Sequence, residues 1–331
     1  TISCTQDGTQ TLSYTLASSG DGLKTLRLWA IDASGTISSV ASSTFAYLDT
    51  GSPTMTIATT PSVLSNNASQ TFSFAATDNG GVIDHYECKM DGGSYAACST
   101  PKSYSGLSEA DHTFYVKAFD TAGNVSNVDS KTWHIDLTAP VLTLSGTPNA
   151  INNQVSSTFS FSATDSGGAS IASYSCNLDS AGYASCASPY INVLAAGAHT
   201  ILIKATDTAG NISSVQSFSW TIDTSLPTVT ISSKPASLTN STSASFSFSG
   251  TDTGGGSVAS FECNLDGAGY SACTSPKSYT SLAATAHTLL IRAIDMATNI
   301  GTATSYTWTV DTTTPMASIL SGPNSLTNST S

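Results

Sequence analysis

Apolar and polar residues alternate along this chain in short runs. In Thr71–Asp78 the residues Phe72, Phe74 and Ala76 share one face. Phe159, Phe161 and Ala163 do the same, as do Phe246, Phe248 and Gly250. A second kind of run follows a histidine: Phe114, Val116 and Ala118, then Ile201, Ile203 and Ala205, then Leu289, Ile291 and Ala293. A third carries Trp133 with Ile135, Trp220 with Ile222, and Trp308 with Val310. Strict period two describes half-buried strands, and Gly, Pro, Asn and Asp clusters between the runs supply turns. No segment keeps a helical period. About seven short strands per unit, with turns every 8–12 residues, predict an all-β, two-sheet Greek-key sandwich.

The runs recur in phase. Cys88 and Cys98 stand ten apart, as do Cys176 and Cys186, and Cys263 and Cys273. The linker copies are Asp49-Thr-Gly-Ser-Pro53, Asp136-Leu-Thr-Ala-Pro140, Asp223-Thr-Ser-Leu-Pro227 and Asp311-Thr-Thr-Thr-Pro315, spaced 87, 87 and 88 residues. Recurrence at a fixed period means a tandem array, and any role belongs to the repeated unit. The expected boundaries are 51–137, 138–224 and 225–312, with 1–50 the back part of an earlier unit and 313–331 the start of a further one.

A hairpin bringing each cysteine pair together makes disulfides the natural reading, and paired cysteines indicate an oxidising compartment. Nine residues between two thiols lack the close pairs of zinc sites. Cys4 has Tyr14 where its partner should stand, so it is expected as an unpaired or intermolecular thiol.

The run Glu-Cys-x-Leu-Asp-Gly, then Ala-Cys, His-Thr, Ala-x-Asp-x-Ala-Gly-Asn, and Trp-x-x-Asp-x-Thr-x-Pro resembles the bacterial immunoglobulin-like repeats of large extracellular, adhesin-type proteins. The resemblance covers 51–312 well and the ends in part. It implies a tandem array of Ig-like sandwiches outside the cell or on a bacterial cell surface. The role it implies is a rigid stalk or spacer of an adhesin. A self-assembling fibre or sheath subunit, or spacer modules of a secreted enzyme, are the alternatives. Departures from the pattern are Lys24 for the histidine, Ala46 for the tryptophan, and Thr298 for the glycine of the last Gly-Asn turn.

Net charge is −12, with 22 acids, only three of them Glu, against ten Lys plus Arg and no basic run. Nucleic acid is therefore not an expected partner. No apolar stretch is long enough to span a membrane. The expected partners are other copies of the chain or neighbouring repeats, and a surface ligand bound elsewhere.

His112, His199 and His287 have no constant nucleophile beside them, so no catalytic site is expected. They read as strand-start residues with local hydrogen bonds. Asp84, His85 and Glu87 read as surface. The aspartates carry more. Asp78, Asp120 and Asp136 recur as Asp165, Asp207 and Asp223, and as Asp252, Asp295 and Asp311. They fit either Asx-turns or an oxygen site for calcium, which related adhesin repeats hold at such junctions. Asn67, Asn124, Asn211, Asn240 and Asn328 lie in glycosylation sequons that a Ser/Thr-rich chain produces by chance. Trp29 takes the position of Lys117 and Lys204 on an outward face.

Overall fold

A computed structural model describes residues 22–320. Cys4 and Tyr14 lie outside the described residues, as do the side chains of Lys24 and Ala46. All regular structure is β, and among the described residues no helix is long and apolar enough to cross a membrane.

The earlier, partial unit contributes an antiparallel pair, β1 (Gly22–Leu28) and β2 (Ala41–Leu48). The first full unit runs β3 (Thr54–Thr59), β4 (Leu64–Ser65), β5 (Gln70–Thr77), β6 (Ile83–Met90), β7 (Ala96–Cys98), β8 (Lys102–Tyr104), β9 (Asp111–Asp120) and β10 (Asp129–Ile135). The next repeats them as β11 (Val141–Gly146), β12 (Ile151–Asn152), β13 (Ser156–Thr164), β14 (Ile171–Leu178), β15 (Ala184–Cys186), β16 (Tyr190–Val193), β17 (Gly197–Asp207) and β18 (Gln216–Ile222). The last does so as β19 (Thr228–Ser233), β20 (Leu238–Thr239), β21 (Ala244–Thr251), β22 (Val258–Leu265), β23 (Ser271–Cys273), β24 (Lys277–Tyr279), β25 (Ala286–Asp295) and β26 (Thr304–Val310).

Each full unit is a sandwich of a three-stranded sheet, β3-β5-β8 in the first, and a five-stranded sheet, β4-β10-β9-β6-β7. The eighth element, absent from the sequence reading, is the two-residue strand β4, which pairs in parallel with β10. By contact density the chain divides into two compact units. One runs to Pro140 and includes 165–172 and 206–212; the other holds 141–164, 173–205 and the chain from 213.

The predicted apolar faces form the cores. Phe72, Phe114, Trp133 and Ile135 are fully buried with Phe74 and Val116 in the first. The other two cores repeat this with Phe159, Ile201 and Trp220, and with Phe246, Leu289 and Trp308. One cross-strand pair shows how the volume is conserved. Phe114 faces Lys131, Ile201 faces Phe218, and Leu289 faces Tyr306. One aromatic ring is present at each pair, on one strand or the other, and such volume-conserving exchanges are the ones cores tolerate.

The three disulfides form as expected, each with a Cα–Cα distance of 5.8 Å. They run diagonally within the five-stranded sheet, because Cys88 faces Ala96 while Cys98 faces Tyr86. The three-residue edge strand β7 is thereby fastened to β6.

The histidines fasten the same hairpin from its other end. Asp91, Asp179 and Asp266 sit at the turn with φ near 50°, a region Asp tolerates. His287 Nδ1 lies 2.7 Å from Asp266 Oδ2 and its Nε2 lies 2.9 Å from the Ala283 carbonyl oxygen. Thr288 N–H donates to the other Asp266 oxygen. His112 and His199 repeat the arrangement with Asp91 and Asp179. Each imidazole also packs against the core tryptophan. Two acceptors per ring favour the imidazolium.

The bond to Asp266, then that to the Ala283 carbonyl, raise the His287 pKa above 6.5. At His112 and His199 burial opposes this, but the same two bonds outweigh it. For Asp266 and Asp179, burial raises the pKa, yet the bonds from His and Thr hold it below 3.8. The folded state therefore takes up imidazole protons that the unfolded chain lacks. That stabilisation is full below about pH 6.5 and is lost as pH rises through the raised folded values. The aspartate contribution is present above about pH 3.8 and is lost as pH falls through the lowered folded values. Urea midpoints in EDTA should accordingly peak between about pH 4 and 6.5 and decline toward pH 9, with a shallower decline in His287→Gln.

Candidate junction metal centre

Each linker aspartate begins where a last strand ends. Asp49 follows β2, Asp136 follows β10 and Asp223 follows β18. Two further aspartates come from the next unit: one directly after its second long strand (Asp78, Asp165, Asp252) and one closing its longest strand (Asp120, Asp207, Asp295). The structure brings these together as Asp49/Asp78/Asp120, Asp136/Asp165/Asp207 and Asp223/Asp252/Asp295, with one carboxylate oxygen from each within 4.8 Å of the others.

The trios correct the grouping expected from sequence. A linker aspartate joins the unit that follows it, because the chain leaves the last strand at the end where the next unit presents its two aspartate-bearing loops. Asp49 thereby enters a site, and its phase in the linker series was the signal for it. Asp311 has no acidic partners among the described residues; its carboxylate accepts from Thr313 N–H and Oγ1–H, which lower its pKa.

The buried members are rigidly held. Asp136 and Asp223 are fully buried, and Asp120, Asp207 and Asp295 nearly so. Asp136 Oδ1 accepts from Thr138 N–H at 3.0 Å and Oδ2 from Ala169 N–H at 2.9 Å. Asp223 accepts likewise from Ser225 N–H and Gly256 N–H, at 2.9 and 2.6 Å. Close approach explains the Gly-rich turn. A Cβ at Gly81, Gly167 or Gly254 would collide with Asp49, Asp136 or Asp223 respectively.

The asparagine of each Ala-x-Asn turn completes the junction, a role that motif matching did not reveal. Asn211 Nδ2 donates to the Asp136 carbonyl and to Asp207 Oδ2, both at 2.9 Å. Asn124 bridges Asp49 and Asp120, and Asn299 bridges Asp223 and Asp295. With both amide hydrogens used, the Asn124 and Asn211 sequons would have to break these bonds to carry glycan. Burial raises the Asp120 pKa, but the bonds from the Asn124 side chain and from backbone N–H groups outweigh it, so this ligand is held ionised.

The donor set fits a hard divalent cation. All ligands are carboxylates, and oxygens on opposite sides of a calcium ion at about 2.4 Å stand about 4.8 Å apart. Asp78 Oδ2 and Asp165 Oδ1 are buried without a hydrogen-bond donor. Burial first, with the neighbouring Asp223 carboxylate, pushes the Asp252 pKa up against the opposing backbone N–H bonds of Thr253 and Gly254. A buried carboxylate oxygen without a donor, beside another carboxylate, is costly unless a cation lies between them.

The His112–Asp91, His199–Asp179 and His287–Asp266 pairs are spent on their turns, and Asp84, His85 and Glu87 lie on the outer sheet face. There His85 stacks on Phe119 and Glu87 pairs with Lys117. Trp29 is half exposed, at 50%.

The fold defines the class: tandem Ig-like β-sandwich modules. No family model matches the chain. Exoglucanase B of Cellulomonas fimi is 28% identical over 289 residues, 81% of this chain and 26% of that protein, so the chain spans about a quarter of this relative. Among solved structures, the fibronectin(III)-like modules of Clostridium thermocellum CbhA match at 18% identity and a TM-score of 0.31, over 52% of this chain and 94% of theirs. The D00-D0 domain of Intimin matches at 14% identity and a TM-score of 0.25, over 50% of this chain and 98% of its own.

Two predictions come from the site. Asp252→Asn should raise the thermal midpoint of the last unit in EDTA, by relieving repulsion, and lower it in millimolar calcium, by removing a ligand. Calorimetry in both buffers reads this reversal of sign. Thr298 holds φ 72° where Gly123 and Gly210 hold 90° and 98°. A β-branched residue is strained there, so Thr298→Gly should stabilise the last unit by about 0.5–1 kcal/mol in urea titration.

Proposed function

We propose that this chain is a non-catalytic spacer array of a secreted, multidomain enzyme acting on polysaccharide. The observation that carries the proposal is the likeness to Exoglucanase B. It runs across 289 residues, more than three repeats, and takes up only 26% of that protein. The chemistry within the units agrees, since the recurring histidines and cysteines are used for fastening strands. Three disulfides suit a secreted protein. A stalk of a surface adhesin is the second reading, favoured by the motif resemblance and the junction trios.

In this reading calcium is a structural ion at the three trios. Linker aspartate, Gly-rich loop and Gly-Asn turn form one unit around it. Binding only the folded junction, calcium stabilises by about 2.7 kcal/mol per site at 100 times its Kd. Proline in each linker limits backbone freedom further. Small-angle scattering on the chain in calcium should give a larger radius of gyration and a narrower conformational spread than in EDTA, with unchanged β-sheet signal. Identical curves would remove the ion from the account. Sequencing the coding region on either side separates the two roles. A glycoside-hydrolase domain supports the spacer; a membrane anchor with a distinct tip domain supports the stalk.

A further inference from the structure

The three units share one design, so each serves as a control for the others. They agree at the edge of the three-stranded sheet in the first and last units and disagree in the middle one. In the first unit the edge strand β8 reads Lys102-Ser-Tyr104 and is followed by Ser105; in the last, β24 reads Lys277-Ser-Tyr279 and is followed by Thr280. In the middle unit β16 reads Tyr190-Ile-Asn-Val193. It is one residue longer and terminates its sheet, next to β13 alone. Lysine has become tyrosine, and the two outward Ser or Thr positions have become Ile191 and Val193, exposed at 58% and 76%. Beside them Val155 is exposed too, where the other units carry Ala68 and Thr242.

Lysine and small polar residues are what keep an open edge from pairing, and β-branched apolar residues promote it. The inward face differs as well. Tyr104 and Tyr279 pack edge-on against the core phenylalanine of their units. At this place the middle unit has Asn192, directly opposite Ser157. Asn192 Nδ2 and Ser157 Oγ are both buried without a hydrogen-bond partner.

We propose that β16 is a self-association edge, pairing antiparallel with β16 of a second copy of this chain. The strand is self-complementary about Asn192. Pairing centred there sets Ile191 against Val193 of the other copy, twice, on the outer face. It also sets the two Asn192 residues opposite each other, at the close Cβ spacing in which side chains of facing residues interact, giving each orphaned amide a partner. Backbone N–H and C=O groups along an edge are matched only by another extended strand, which favours a strand over a flat protein surface as the occupant. Identity of the two strands removes any charge conflict, because β16 carries no charged residue. Four residues a side bury far less than the ~800 Å² per partner of a stable interface, so the contact is weak and reversible. It gains force where copies are crowded or tethered together.

The test is sedimentation velocity on the full chain carrying Cys4→Ser, which excludes any covalent dimer through that thiol. For so small an interface the series should run from about 10 µM to about 1 mM. The weight-average mass is expected to rise toward twice the monomer value at the top of the range. Ile191→Lys and Val193→Lys, both at exposed positions, should hold it at monomer with unchanged melting curves, and Ser103→Lys on the first unit should behave as wild type. A wild-type mass that stays monomeric throughout overturns the proposal. So does association that Ile191→Lys and Val193→Lys leave intact, since it would then lie elsewhere.

Discussion

Each of the three described trios turns on one carboxylate, that of the linker aspartate. At Asp136 and Asp223 it is fully buried, accepts a backbone N–H from its own linker and another from the following Gly-rich loop, and faces two more carboxylates. A buried anion among anions is unfavourable in isolation, so the arrangement makes physical sense only as part of a compensated set. Backbone donors, the bridging asparagine and a divalent ion are the available compensations. The surrounding sequence follows from this demand. Glycine stands where a Cβ would strike the carboxylate, asparagine where an amide must reach both linker and strand end, and proline where the linker must not wander.

Within a unit the same economy appears at smaller scale. The disulfide and the His–Asp clamp act on one hairpin from two sides, fixing an edge strand of only three residues that hydrogen bonds alone would hold poorly. Units this small have modest cores, and covalent and charge-assisted fastening offsets that weakness.

Much of this was legible in the chain. Period-two runs located the strands and the burial of Phe72, Phe114 and Trp133, and cysteine spacing located the disulfides. The histidines read correctly as local fasteners, though the partners Asp91, Asp179 and Asp266 did not show, because they lie about twenty residues away and meet only once the sheet forms. The aspartates stand out as candidates, but their order in the chain groups Asp136 with the wrong neighbours. Sequence proximity placed it with Asp78 and Asp120 of its own unit, whereas chain direction at the end of β10 delivers it to Asp165 and Asp207. The two-residue strand β4 left no signal, since a parallel pair so short has no periodicity. Asn192 and Ile191 became informative only through comparison of equivalent positions in three folded copies.

The central claim is that each linker carboxylate is bound by the loop of the next unit. Hydrogen exchange tests it directly at the Ala169 and Gly256 amides, which donate to Asp136 and Asp223. Both should exchange far more slowly than the exposed Gly92 amide in a hairpin turn of the same chain. Exchange of both at the unprotected rate would mean that the linker carboxylates do not hold the loops.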